Sequence, residues 1–246
     1  MIETISSTKN QFVKQARSLA QKKFRLETGL FLAEGANLIK DMPEWVEVER
    51  VFATSTRIKE CERFLSSKTA VYIVDDDVMN FISNTVSPYG IVAVCKIPSV
   101  DFQMPTGNAL LLDGVSDPGN VGTIFRTAAA CGFCEIYLLD TVDIYSPKVV
   151  RSTLGGLFKV RACTVDENQA ILLAKNTNSA VLDMAGENIL DTKVHTPTTF
   201  IVGSEAHGVR EILKKEAKTV YSLPMKNDIE SLNVAVATAV AMYRTV

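Results

Sequence analysis

The chain has 246 residues, of which 47% are hydrophobic and 22% charged, and a formal net charge of −2. These proportions are those of an ordinary globular chain long enough for one large or two small domains. They exclude several classes: no apolar run approaches the ~18 residues of a membrane span, the acidic balance argues against a general nucleic-acid binder, and five cysteines at irregular spacing argue against a disulfide framework. The first residues carry no apolar leader core, so a cytoplasmic location is the expectation.

Thr8 to Arg25 reads as one helix, with Phe12, Ala16, Leu19 and Ala20 along one side. Over residues 1–25, Lys9, Lys14, Arg17, Lys22, Lys23 and Arg25 are opposed only by Glu3. That is a basic face on an acidic protein, and a solvated helix face fits the pattern as well as a nucleic-acid contact does. GLFLAEG, VERVFAT, AVYIVD and GIVAVCKI follow as short apolar runs of strand length, separated by helical segments near Ala36–Asp41, Arg57–Leu65 and Val78–Ile82. Residues 1–98 are therefore expected to form a small α/β layer.

Residues 99–108, rich in turn formers, read as a linker. The pattern then restarts over 109–246, where ALLLDGV, EIYLLD, AVLDMAG, TFIVGSE and TVYSLPM are five candidate strands. Several are almost continuously apolar, as strands of a parallel sheet buried on both faces are. A last helix from about Ile229 to Met242 is apolar nearly all round, which suits burial, including burial against a second subunit. Cys131 and Cys134 form a C-x-x-C, but they follow a helix instead of opening one, so buried, inert thiols are expected.

A parallel α/β sheet binds ligands beyond the carboxyl ends of its strands. Three polar constellations fall there. In DPGNVGTIFRTAAACGF, Asp117-Pro118-Gly119-Asn120 is turn chemistry, Asn120 is a candidate N-cap, Gly132 is a candidate terminator, and Arg126 sits in an apolar setting where it needs an anion or a carboxylate. In IVGSEAHGV, Gly203 permits a close backbone approach or a turn, and Glu205 is placed to orient Arg126. His207 has the bland reading of a loop histidine. In LPMKNDIESLNVAVATAVAMY, Asn227 or Asp228 is a candidate cap, and Ser231 and Asn233 lie near a helix start, where free backbone N–H groups are available. Each constellation alone is a weak signal.

Together, in this order and spacing, they resemble the SpoU (TrmH-like) RNA 2′-O-ribose methyltransferases of the SPOUT superfamily. The first family motif, N-x-G-x-x-x-R, is matched by Asn120, Gly122 and Arg126; the second, G-x-E-x-x-G, by Gly203, Glu205 and Gly208; the third by Pro224 and Ser231-Leu232-Asn233-Val234. One departure is Ala235, where the family usually has a second serine. The match covers residues 109–246 strongly. The start of the chain is more loosely similar to the RNA substrate-binding domain that precedes the catalytic domain in ribosomal-RNA members.

The resemblance implies an α/β protein with an N-terminal substrate-binding domain (1–98), a linker (99–108) and a parallel-sheet SPOUT domain (109–246) with a deep trefoil knot. It implies S-adenosylmethionine as cofactor, a homodimer through the C-terminal domain, and no metal. Arg126, Asn120, Glu205, Ser231 and Asn233 become the catalytic candidates, and Gly203, Leu223 and Leu232 the cofactor contacts. Lys9, Lys14, Arg17, Lys22, Lys23 and Arg25 become the RNA grip. Ribosomal RNA is the favoured substrate; transfer RNA, or a non-catalytic RNA-binding role on the same fold, stay open. A nucleotide-dependent oxidoreductase is disfavoured, because no G-x-G-x-x-G follows the first strand of the C-terminal half.

Overall fold

The computed structural model describes residues 2–65, 69–83 and 85–246. Their contacts define two units: one runs from the N-terminus to Ser99 and also takes in Tyr145–Phe158, and the other holds Val100–Ile144 and Lys159–Val246.

In the first unit the chain forms β1 (Ile2–Ile5), α1 (Gln11–Ser18), α2 (Lys22–Thr28), β2 (Leu30–Glu34), α3 (Ala36–Lys40) and β3 (Val48–Ala53). A 3-10 segment, Ser55–Cys61, runs into α4 (Glu62–Leu65), followed by β4 (Ala70–Val74), α5 (Asp76–Ile82) and β5 (Ile91–Lys96). The strands lie in the order β1-β4-β3-β5-β2. β1, β4 and β3 run parallel, and β5 is antiparallel to both β3 and β2. Leu30, Leu32, Phe52, Tyr72, Val92 and Val94 from one sheet face pack on Val13 of α1 and Val78, Met79 and Ile82 of α5. Full burial of each such side chain contributes about 1.5–3 kcal/mol. β1 has no strand signal of its own, because it is an edge strand with only Ile5 buried.

The single helix expected over Thr8–Arg25 is two. Asn10 caps α1 by accepting the Phe12 N–H at 2.8 Å, and the helix ends at Leu19. The carbonyls of Leu19 and Ala20 are then left without helical partners. Arg25 satisfies both, donating Nη1 at 2.6 and 2.9 Å from a position only 3% exposed. Arg25 is therefore a structural bracket across the α1–α2 corner, which corrects its placing on the RNA-facing surface. Lys9, Lys14, Lys22 and Lys23 are exposed. Arg17 is exposed as well, with one N–H on the Ser83 carbonyl at 3.1 Å and its guanidinium over the Phe81 ring.

The second unit contains β6 (Ala109–Asp113), α6 (Pro118–Cys131) and β7 (Glu135–Leu139). After the excursion that includes α7 (Pro147–Ser152), it continues with β8 (Arg161–Thr164), α8 (Glu167–Asn176), β9 (Ser179–Asn188), β10 (Thr199–Gly203), α9 (Glu211–Glu216), β11 (Thr219–Ser222) and α10 (Val234–Tyr243). All six strands pair in parallel, in the order β11-β9-β10-β6-β7-β8. The five expected strands are present; β8 is the addition, short and largely half-exposed. From β6 the chain builds outward to β7 and β8, then crosses to build β9, β10 and β11 on the other side. The switch falls between β6 and β10, where Asp113 is paired with Gly203 at the carboxyl ends, and a crevice for ligands opens at such a point.

Two helix starts differ from expectation. Asp117, not Asn120, caps α6: its carboxylate accepts the Asn120 N–H at 2.8 Å, and Pro118 takes the first turn, where a missing N–H costs nothing. Gly132 ends α6 with a φ of 77°, as its position suggested. α10 begins at Val234, capped by Asn233. Asn227 and Asp228 both hold a φ of 57° and shape the preceding turn, a left-handed conformation that these two residue types tolerate best after glycine.

The segment Tyr145–Phe158 leaves the second unit after β7 and packs in the first. Phe31 of β2 meets the Tyr145 ring at 5.0 Å, and the exposed Trp45 lies edge-on to Phe158. Glu34, 7% exposed at the end of β2, accepts the Ser83 hydroxyl at 2.5 Å, the Thr85 hydroxyl at 3.1 Å and the guanidinium of Arg151 at 3.5 Å.

Candidate active site

Three chain segments meet beyond the β6–β10 switch point, and three amide and carboxylate groups join them. Asn233 sets the direction. Its Oδ1 is occupied by the Ala235 and Val236 N–H groups at 3.0 and 3.3 Å, as an N-cap requires, so only its Nδ2 is free to donate outward. That group donates to Asn120 Oδ1 at 2.9 Å. Asn120 must then turn its own Nδ2 the other way, and it donates to Glu205 Oε1. The start of α6, the loop after β10 and the start of α10 are thereby tied in one polar chain. The expected partnership of Glu205 with Arg126 is replaced by the bond from Asn120. Arg126 lies six residues further along α6, exposed, with no hydrogen bond or ion pair to a described residue.

Glu205 also faces a cavity of about 360 Å³ within the second unit. Val202, Gly203 and Ser204 supply one wall, Tyr221, Leu223 and Met225 a second, and Ser231, Leu232, Val234 and Thr238 a third. Gly203, Leu223 and Leu232 thus surround one space, and Ser231 shares it with Glu205. Asn120 and Asn233 stand behind Glu205, and Arg126 is not among the lining residues. Gly203 has a reason of its own to lack a side chain: a Cβ there would fall 2.0–2.2 Å from backbone atoms of Gly208 and Val209. The crowding comes from the chain's own loop, which turns back so that Ser204 and Gly208 bridge.

Arg210, just past that loop, holds it to the strand ends. Its backbone N–H donates to Asp113 Oδ2 at 2.8 Å, and its Nε meets Asp113 Oδ1 at 2.8 Å. The other two guanidinium nitrogens reach Asp140, after β7, and Glu167, at the start of α8. Asp113 is 3% exposed, so its charge depends on this fork. On the cavity's other side Asp183 of β9 accepts Lys214 Nζ at 2.7 Å. The Lys214 ammonium holds the Asp183 carboxyl below its ordinary range, and Asp183 in turn raises Lys214.

Sequence reasoning did not single out Arg210, Asp183, Lys214 or Glu230, which also lines the cavity. Arg210 did carry a signal: a cation at a helix N-terminus opposes the helix dipole and therefore needs acids around it. The cysteines divide: Cys61, Cys95 and Cys163 are buried, Cys131 is half-buried and Cys134 is exposed, so Cys134 does not fit the expectation of buried thiols.

The fold and this site define a methyltransferase. A sequence model of the SpoU rRNA Methylase family matches residues 107–243, and one of the MRM3-like substrate binding domain matches residues 10–93. The chain belongs to the SpoU rRNA Methylase family. It is 31% identical to the 23S rRNA (guanosine(2553)-2′-O)-methyltransferase RlmP of Bacillus subtilis, over 98% of each chain. It is also 31% identical to an uncharacterized tRNA/rRNA methyltransferase of Synechocystis, over 98% of this chain and 93% of that one. Among solved structures, the AdoMet-bound rRNA methyltransferase from Sinorhizobium meliloti superimposes with a TM-score of 0.90 at 26% identity, covering 99% of this chain and 97% of the other.

Proposed function

We propose that the protein methylates a ribose 2′-hydroxyl in 23S ribosomal RNA. The observation that carries this reading is the Asn233–Asn120–Glu205 chain standing beside the cavity of Gly203, Leu223 and Leu232. S-adenosylmethionine is the methyl donor, supplying an electrophilic methyl group on a sulfonium. The cavity fits it: about 360 Å³ lies within the range of small-molecule sites, the walls are mostly apolar, and Asp183, Glu205 and Glu230 are the charged groups among the described residues that line it. Gly203, Leu223 and Leu232 contact the donor, largely through backbone atoms.

The reaction needs the ribose oxygen held in line with the methyl group and relieved of its proton. Arg126 stabilises the oxygen as its proton passes to water, and grips a neighbouring phosphate. It does not act as a base, because a guanidinium keeps its proton above pH ~12. Asn120, fixed between Glu205 and Asn233, orients the ribose and the loop, and Ser231 completes the polar rim. Positioning of this kind supplies much of the acceleration. No step calls for a metal.

Residues 1–98, completed by Tyr145–Phe158, act as the RNA substrate-binding domain, 99–108 as a linker and the rest of 109–246 as a SPOUT domain with a trefoil knot. Lys9, Lys14, Arg17, Lys22 and Lys23 hold phosphates, a contact that weakens with salt. The protein is a homodimer through the C-terminal domain. In support, α10 packs on α6 yet leaves Val236 48% and Tyr243 58% exposed, apolar surface that a second copy covers. A cytoplasmic site of action suits this substrate, and among the described residues no helix is long and apolar enough to cross a membrane.

Ribose methylation mapped across the ribosomal RNA of cells with and without the gene tests this reading. One 2′-O-methyl site in 23S RNA should vanish with the gene and return with it. An unchanged ribosomal map with a lost site in transfer RNA would move the activity to that substrate.

A further inference from the structure

The cavity carries an uneven charge that the reaction does not require. Among the described residues that line it, three are acids and none is a base. Two of the three are already engaged. Asp183 is neutralised by Lys214 at 2.7 Å, and Glu205 accepts from the Asn120 amide. Glu230 is exposed at the cavity wall, one residue before Ser231, and forms no hydrogen bond or ion pair with a described residue. It is the one uncommitted charge among the described residues that line this space. A carboxylate left without a partner at the edge of a low-dielectric pocket attracts a cation in whatever occupies it.

We propose that Glu230 is a specificity-determining residue that reads the positive charge at the reacting position of the cofactor, and so separates methyl donor from spent product. The inference rests on the assignment of this cavity to S-adenosylmethionine. Donor and product share the adenosine, the ammonium and the carboxylate. They differ in that methyl transfer breaks the carbon–sulfur bond, leaves the electron pair on sulfur and turns a sulfonium cation into a neutral thioether. A carboxylate beside that position favours the donor and loses its hold when the charge disappears. Each turnover thereby weakens binding of its own product. Because Glu230 is solvent-exposed, the effect is modest and screened by salt.

Calorimetry on the full chain with three ligands tests this. S-adenosylmethionine carries the sulfonium, sinefungin carries an amine cation in the same place, and S-adenosylhomocysteine carries neither. In Glu230→Gln the Kd for the two cationic ligands should rise about three- to ten-fold, with the Kd for S-adenosylhomocysteine nearly unchanged. Raising the salt should narrow the donor–product difference in the parent protein and not in the variant. Equal weakening of all three ligands in Glu230→Gln would mean that Glu230 contacts their shared part, and no weakening would mean that it contacts none of them; either result overturns the proposal while leaving the cofactor assignment in place. Failure of the parent protein to bind any of the three would instead overturn the cofactor assignment itself.

Discussion

Arg210 meets Asp113 twice, through its backbone N–H and its Nε, both at 2.8 Å. The pair joins the end of the central strand β6 to the loop that carries Glu205. Arg210→Ala would leave a carboxylate 3% exposed with only the backbone N–H to answer its charge. Loss of a partner to a buried charge costs up to 3–5 kcal/mol, but the arginine is partly exposed, so the expected destabilisation is about 2 kcal/mol. Thermal unfolding should show it as a lower Tm. S-adenosylmethionine binding should weaken with it, because the loop loses its anchor. Arg210→Lys keeps one contact to Asp113 and loses the fork to Asp140 and Glu167, so it should fall between parent and alanine variant.

Arg126 is exposed on α6 with no hydrogen bond or ion pair to a described residue, and its substitution should leave the fold intact. Arg126→Ala should keep the parent Tm and lower kcat by about 100-fold or more, the usual scale for removing a charge-stabilising donor. Arg126→Lys should retain substantial turnover if charge and position are what the site needs. Near-complete loss in the lysine variant, with RNA binding intact, would show that the fork geometry of the guanidinium is required.

Gly203 cannot accept a side chain. A Cβ would sit 2.0 Å from the Gly208 carbonyl carbon and 2.2 Å from the Val209 nitrogen, backbone atoms with no rotamer to yield. Gly203→Ala should destabilise the second unit by about 3 kcal/mol and abolish cofactor binding. Calorimetry on the folded fraction separates the two effects.

Asp183 and Lys214 make an ion pair whose pH dependence has a definite sign. The folded carboxyl lies below its ordinary value of 3.8, so its stabilisation is fully present above that value and is lost as the pH falls through the depressed folded value. Lys214 lies above 10.5, so its contribution holds below that value and fades only as the pH rises through the raised one. The Tm difference between parent and Asp183→Asn should be flat across neutral pH and shrink only below pH 3.8.

Much of the site was legible because its residues are spaced by their neighbours in sequence. Gly203 and Glu205 flank the end of one strand, and Ser231 and Asn233 precede one helix, so pattern drew attention to them and the family resemblance supplied their expected roles. What joins them was not legible. Asn120 resembled a cap, and only the occupied Oδ1 of Asn233 shows why its amide is instead spent between two other motifs. Arg210 and Asp113 are 97 positions apart, and nothing local to either announces the other. Arg25 failed for a related reason: a basic run looks the same whether a cation faces solvent or closes a helix corner. Of the six strands of the second unit, five were visible in the sequence, several by almost continuous apolar runs, whereas β1 and β8, at sheet edges, lack such runs.

The return of Tyr145–Phe158 to the first unit has a consequence for synthesis of the chain. By the time Ser99 is made, every strand of the N-terminal sheet exists, yet Phe31 and Glu34 on β2 still lack Tyr145 and Arg151. About sixty more residues must follow, which at roughly 5–20 residues per second takes about 3–12 s. During that interval the nascent sheet carries an open apolar edge and an unmatched acid. The N-terminal unit therefore completes only after two strands of the second sheet have been translated, and a fragment cut at Ser99 lacks part of that unit.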